Sequence, residues 1–433
     1  MVSHFFITMP EIGTDIIIIG AGAGGLYAAR ELAASGKKII ILEARDRPGG
    51  RIHTFDNNSM HDLEAGAEFI HGNLQLTLGI LKEAGITPTV TGGNMVSVEN
   101  GKWTAGWDDA LDWDFWIKTL RQLNSDMTIA AFFHRYFDNE KYASLKQMIK
   151  GFAEGYDGAD IEKASILSLR NEWMDDDELQ YRLPGGYKKI IDFLAHQTRQ
   201  QGVIIHYKTV AKAIQWRKSK VQVTTSEGKI FQAAQVIITV PPAILQQSSE
   251  TPGSLIFDPA IPGKIRAMEK IGNGTVIKIL LLFRDIFWEE NIKHWGFMFT
   301  NQSIPTWWTQ IPLRKPLLTG WLGGPPAWRL LHTPEEKILQ MALSSLAKSF
   351  NKEYHYLEEQ LINGYVFNWA ADPFSFGSYS YNLVGTDEAR QELNEPVENT
   401  LFFAGEAYHR GKSQGTVEAA LESGKSVAEK IGN

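Results

Sequence analysis

Four consecutive isoleucines, Ile16 to Ile19, open the first strongly patterned stretch of the chain, with no polar residue among them. An uninterrupted β-branched run predicts a strand buried on both faces, as in a parallel sheet. A glycine-rich turn follows, and from Gly25 to Ser35 apolar residues recur at Leu26, Ala29 and Leu32, which predicts a helix with one inner face. Lys38 to Leu42 predicts a second buried strand, so the unit is strand, helix, strand. Further along, "VIIHYKTVAKAIQWRKSKVQVTTSEGKIFQAAQVIITVPP" predicts short alternating strands turning at "SEGK" and a buried strand Val236 to Val240, stopped by Pro241 and Pro242. "NTLFFAGEAYHRGKSQGTVEAALESGKSVAEKI" predicts strand, glycine-rich turn and helix. Between these lie a mainly helical stretch, 76–200, and a mixed one, 286–395, with strands, Trp/Pro turns and a helix near Glu335 to Phe350. The chain therefore shuttles between two discontinuous domains.

At 433 residues, 43% hydrophobic and 21% charged, the chain can bury the cores of two or three domains. A formal net charge of −7 leaves no basic footprint, so no nucleic-acid partner is expected. Cysteine is absent, which excludes disulfides, thiolate metal sites, a catalytic thiol and a cysteinyl link to a cofactor. "MVSHFFITMPEIGTD" has no basic leader before a long apolar run, and "DIIIIGAGAGGLYAA" is broken by glycines. The expectation is a cytoplasmic protein without a membrane partner. HExxH, clustered His/Asp ligands and GxSxG are missing, so neither a metal site nor serine acyl transfer is expected.

Gly20, Gly22 and Gly25 fit GxGxxG between a strand and a helix. The first glycine permits the tight turn, the second lets backbone approach a pyrophosphate, and the third lets helix and strand pack closely. The helix N-terminus then faces the phosphates. Glu43 closes the second strand about 20 residues on, where a carboxylate accepts from ribose hydroxyls. These features predict a Rossmann-like dinucleotide site without separating NAD from FAD. "EARDRPGGRIHT" adds Arg45, Gly49, Gly50 and Arg51, a second Gly-Gly-Arg for which an NAD site has no evident need.

The stretch resembles the dinucleotide motif and adjoining GGR signature of FAD-dependent amine oxidases, a family that includes monoamine, polyamine and spermine oxidases, histone-demethylase flavoproteins and L-amino-acid oxidases. The resemblance continues in order through "EAGAEFIHG", "LPGGYKKIIDFLA", "VIITVPPAIL", "GTVIKILLLFRDIFW", "WAADPFSFGSYSY" and "LFFAGEAYHRGKSQGTVEAALESG". It implies an α/β fold with an FAD-binding domain made of 1–75, 204–285 and 396–433, and a substrate domain made of 76–203 and 286–395. It also implies a catalytic Lys278 facing the flavin, Trp369 near the ring and Tyr379 before its face. Ser378 stands where monoamine oxidases carry the cysteine that links the flavin, so the FAD should be non-covalent. His71 matches a histidine of animal polyamine oxidases. Ala67, Glu68, Phe69, Val210, Gly405, Glu406, Gly415, Thr416 and Val417 are implied FAD contacts, with Val210 at the adenine. The second aromatic of the monoamine oxidase cage is missing; Lys412 is the nearest match, and Tyr408 is the neighbouring tyrosine.

A small-molecule amine, dioxygen and FAD are thus the implied partners, with the amine oxidised to an imine that hydrolyses to an aldehyde, and hydrogen peroxide released. A polyamine is the favoured substrate. An L-amino-acid oxidase is an alternative, with Lys412 or Arg410 meeting the carboxylate; a flavin-bearing scaffold or a desaturase of the same fold is another. The run Asp175, Asp176, Asp177, Glu178 is either a solvated turn or an attractor for a polycation. So is the patch of Trp103, Trp107, Trp113 and Trp116 interleaved with Asp108, Asp109, Asp112 and Asp114.

Overall fold

The structure, a computed structural model, describes residues 13–99, 101–106, 112–174, 179–290 and 292–432. Ile16–Ile19 lies in the middle of a five-stranded parallel sheet, in the order Ile204–His206, Ile39–Leu42, Ile16–Ile19, Gln235–Ile238, Leu401–Phe403. All four isoleucines are buried, because helices cover one face and further strands the other. The first helix, Ala23–Ala34, begins two residues before the expected Gly25. Apolar periodicity starts only at Leu26, so it could not register a first turn made of glycine and alanine. Those glycines permit close packing: a Cβ on Gly25 would lie 2.2 Å from the Gly20 carbonyl oxygen, and one on Gly424 would lie 2.3 Å from that of Gly24. The last described helix, Val417–Gly432, thereby seats directly on the first.

A four-stranded sheet of Ile230–Ala233, Lys220–Thr225, Ala211–Arg217 and Ile256–Asp258 covers the other face. The second half of the molecule is built on a seven-stranded sheet, ordered Leu361–Asn368, Val276–Phe283, Leu317–Gly323, Thr306–Trp308, Trp295–Thr300, Asn94–Glu99, Lys102–Ala105. Its core is closed by the helix Glu335–Phe350. Several boundaries differ from the sequence expectation. Val276–Phe283, assigned there to the nucleotide half, pairs with Leu317–Gly323 and Leu361–Asn368 instead. Gln75–Glu83 and Lys188–Gln200, assigned to the substrate half, pack into the nucleotide-half core, and Thr386–Asn394 packs on Pro262–Met268. An apolar run announces that a segment is buried, not which sheet buries it.

The described tryptophans of the patch are packed: Trp113 lies against Trp173. Trp116 is fully buried among Phe132, Phe133 and Phe137, and the Trp103 indole N–H donates to the Ser349 carbonyl. Asp112 stays at the surface, 3.8 Å from Lys141. Trp107, Asp108, Asp109 and Asp175 to Glu178 lie outside the described residues. Among the described residues no helix is long and apolar enough to cross a membrane.

Candidate active site

A continuous cavity of about 3000 Å³ runs between the two halves. At one end its wall is the glycine turn. Gly20 has φ +108°, and a Cβ there would meet the Thr239 hydroxyl at 2.5 Å. Gly22 is the N-cap of the first helix, and no side chain caps it. No protein atom lies within 4 Å of where its Cβ would stand. The first-turn N–H groups therefore meet an open cavity, which suits a pyrophosphate. Gly25 does not line the cavity; its contribution is the close packing beneath. Glu43 accepts the Ala21 and Arg45 backbone N–H groups at 2.7 and 2.8 Å. Burial pushes its pKa up, and the two amides partly offset this. Val210 lines the same end. Space, uncapped amides and a carboxylate after the second strand together fit the adenine half of FAD.

The middle of the cavity is fastened by cations. Arg45 bonds Asp372 at 2.8 Å and Ser375 at 3.0 Å, and its guanidinium lies over the Phe374 ring. Arg51 donates to Glu406 at 2.9 Å and to the Ser378 carbonyl. Glu406, buried, also accepts the Ser380 hydroxyl at 2.7 Å. Gly50 and Gly405 line this stretch with positive φ, +58° and +138°. Gly415, Thr416 and Val417 line it from the start of the last helix, where the Thr416 hydroxyl caps Ala419 N–H.

At the other end stands Lys278, 1% exposed. Its ammonium donates to Glu68 Oε2 at 2.6 Å and to the Gly66 carbonyl at 3.0 Å. The other Glu68 oxygen accepts from Arg182 at 2.9 Å and from the Trp308 indole at 3.0 Å. Burial alone would raise the Glu68 pKa, but Lys278 and Arg182 together hold it below the ordinary value. Arg182 also donates to the Thr309 and Ile311 carbonyls and lies over the Phe69 ring. Ala67 and Phe69 line the cavity on either side of Glu68.

Trp369 faces the cavity with its indole N–H on the Ala65 carbonyl at 3.0 Å. The Tyr379 hydroxyl donates to the Tyr156 carbonyl, and burial pushes its pKa well up. Ser378 is buried beside it, with its hydroxyl oxygen unpartnered. His71 lies 3.3 Å from the Tyr156 hydroxyl, and desolvation holds its pKa at about 4, so the ring is neutral at pH 7.

Tyr156, Asp157 and Glu172 also line this end, and the sequence reading missed them. Asp157 and Glu172 lie close enough to act on each other's protonation. Burial and mutual repulsion hold Asp157 well above the ordinary carboxyl range, while burial pushes Glu172 up to about 7. The exposed surface of Glu172 opens into the cavity, and among the described residues no cation acts on either group. Two carboxyls on separate segments leave no local signature in a sequence.

Tyr408 corrects an expectation. It is 1% exposed, packs on Phe403 and donates to the Val240 carbonyl, so it is core and not a substrate wall. Tyr408 is buried because the short turn Glu406–Tyr408, after strand Leu401–Phe403, folds inward with all three residues covered. Lys412 and Arg410 do line the cavity.

Known proteins resemble this chain in sequence and fold. The family model for flavin containing amine oxidoreductase matches residues 23–432. Lysine-specific histone demethylase 2 of Homo sapiens is 28% identical over 96% of this chain and 53% of its own length. Polyamine oxidase 5 of Oryza sativa subsp. japonica is 28% identical over 96% of this chain and 87% of its own. The chain spans about half the length of the human demethylase it matches. The structure of a putrescine oxidase bound to putrescine superimposes with a TM-score of 0.81 at 20% identity, covering 98% of this chain and 99% of that one. Cyclohexylamine oxidase from Brevibacterium oxydans gives 0.79, also at 20% identity, over 97% and 99%. At that identity the likeness is one of fold.

Proposed function

We propose, since this chain belongs to the flavin-containing amine oxidoreductase family, that it oxidises a small diamine or polyamine, using non-covalent FAD and dioxygen. The observation that carries the substrate class is the Asp157–Glu172 pair, two carboxyls at the Tyr379 end of the cavity on which no cation acts among the described residues. Such a pair holds a shared proton and gives it up when a cation arrives. A diamine brings a second ammonium to meet it; a simple monoamine does not. The names of the relatives, polyamine oxidase and putrescine oxidase, support the same reading. Absence of cysteine from the chain, with Ser378 at the cavity, supports a cofactor held without a thioether.

FAD, held at the glycine turn, Glu43, Arg51 and Glu406, would supply a hydride acceptor that dioxygen can reoxidise with formation of hydrogen peroxide. The residues do the rest. Tyr379 and Trp369 wall the amine end. Only a neutral amine gives up hydride, so the reacting nitrogen must lose a proton first. That proton leaves to solvent, and His71, neutral at pH 7 and 3.3 Å from the Tyr156 hydroxyl, is the hydrogen-bond partner we assign to the neutral amine. The imine product hydrolyses to an aldehyde.

A second reading rests on Lys412 and Arg410, which line the cavity and would suit the carboxylate of an L-amino acid. The acidic pair would oppose that carboxylate. Anaerobic mixing of the flavoprotein with putrescine, spermine, a monoamine, a methylated lysine peptide and an amino-acid panel separates these readings. Flavin absorbance should bleach fastest with the diamine or polyamine. Fastest bleaching by an amino acid would replace the proposal, and none by any amine would overturn the enzyme reading.

A further inference from the structure

Lys278 does not stand alone. Its ammonium, the Glu68 carboxylate and the Arg182 guanidinium form a continuous buried chain with contacts of 2.6 and 2.9 Å. Their side chains are 1%, 5% and 10% exposed. The three come from separate places: Glu68 between strands Leu63–Glu64 and Ile70–His71, Arg182 at the end of strand Gln180–Arg182, and Lys278 inside the seven-stranded sheet. Glu68 and the Gly66 carbonyl occupy two of the lysine's three N–H groups, so its head is fixed in place. A carboxylate in direct contact also cancels the positive charge that the lysine would present. Arg182, on the other carboxylate oxygen, restores a net charge of one.

We propose that Glu68 and Arg182 are positioning residues that fix Lys278 and, with it, set the charge presented to the bound flavin. The triad as a unit, and not the lysine by itself, then tunes how easily the cofactor is reduced. This rests on flavin binding but not on the identity of the amine. Reduction by two electrons and one proton leaves a flavin with one added negative charge, which a nearby positive charge stabilises. Removing the carboxylate leaves two cations, and removing the guanidinium leaves a neutral pair. The two changes therefore act in opposite directions.

The test is the flavin midpoint potential of the holoprotein, measured anaerobically with reference dyes and a chemical reductant in place of an amine. Glu68→Gln should raise it and Arg182→Gln should lower it. The expected size is about tenfold in the reduction equilibrium, or about 30 mV for a two-electron couple. The double variant should return the wild-type value. Trp308→Phe removes a hydrogen bond to the same carboxylate without altering charge, and should leave the potential in place. A shift of both single variants in one direction, or an equal shift from Trp308→Phe, would overturn the triad. If Glu68→Gln fails to fold, Arg182→Lys against Arg182→Gln carries the test: the lysine should hold the potential, and equal values would refute the charge role. Flavoprotein with the wrong pattern leaves the proposed function standing; a chain that binds no flavin overturns both.

Discussion

At the glycine-turn end of the cavity the wall is largely backbone, glycine turns and uncapped amides from one short stretch of chain, whereas at the Lys278 end it is side chains brought from at least five stretches. The first depends on close approach, so a single added carbon decides it. The second depends on charge balance between distant segments, so it tolerates changes of shape better than changes of charge.

Gly25→Ala should break the first end most severely. Its Cβ would meet the Gly20 carbonyl oxygen at 2.2 Å, and overpacking of that kind costs about 3 kcal/mol. The purified protein should melt earlier and carry almost no flavin. Gly22→Ala sharpens the contrast, because no atom stands near its Cβ. The apoprotein melting temperature should hold while flavin occupancy falls, and full occupancy would remove the pyrophosphate from this turn. Next in size, Asp157→Asn combined with Glu172→Gln should raise KM for a diamine about tenfold, the worth of a charged hydrogen bond. Steady-state kinetics should find a monoamine unaffected; equal loss for both would dissociate the pair from the second ammonium.

Glu64→Gln should have the smallest effect, confined to pH dependence. Glu64 lies behind the cavity wall, accepting Thr54 and Tyr187, and burial pushes its pKa from 4.5 to about 7 despite those bonds. A carboxyl with a raised folded pKa favours the folded state fully below 4.5, and that advantage is lost as pH rises to about 7. Denaturant midpoints across this range should flatten in the variant, with flavin content unchanged.

The same division governs what the sequence made legible. Gly20, Gly22, Gly25 and Glu43 were recognisable because one short segment holds both the spacing and the reason for it. Lys278 stood out as a charge inside an apolar strand, and family resemblance supplied its direction. Its partners did not stand out: Glu68 was visible only as a candidate flavin contact, and Arg182 sits in a strand of three residues with no pattern of its own. Asp157 and Glu172 become a pair only when two helical segments meet, and Tyr408 looked available because adjacency in sequence says nothing about which way a turn folds. Domain edges blurred for a related reason, since Val276–Phe283 is apolar throughout and would suit either sheet.

The order of strands in the parallel sheet carries a consequence for how the protein is made. Ile16–Ile19 leaves the ribosome well before its neighbour Gln235–Ile238, and the helix that seats Gly424 on Gly24 follows later still. Until then the strand presents an open, apolar edge, the kind that recruits other chains. Cofactor capture is therefore a late event in biosynthesis, and the interval before it is when the nascent chain most needs protection from aggregation.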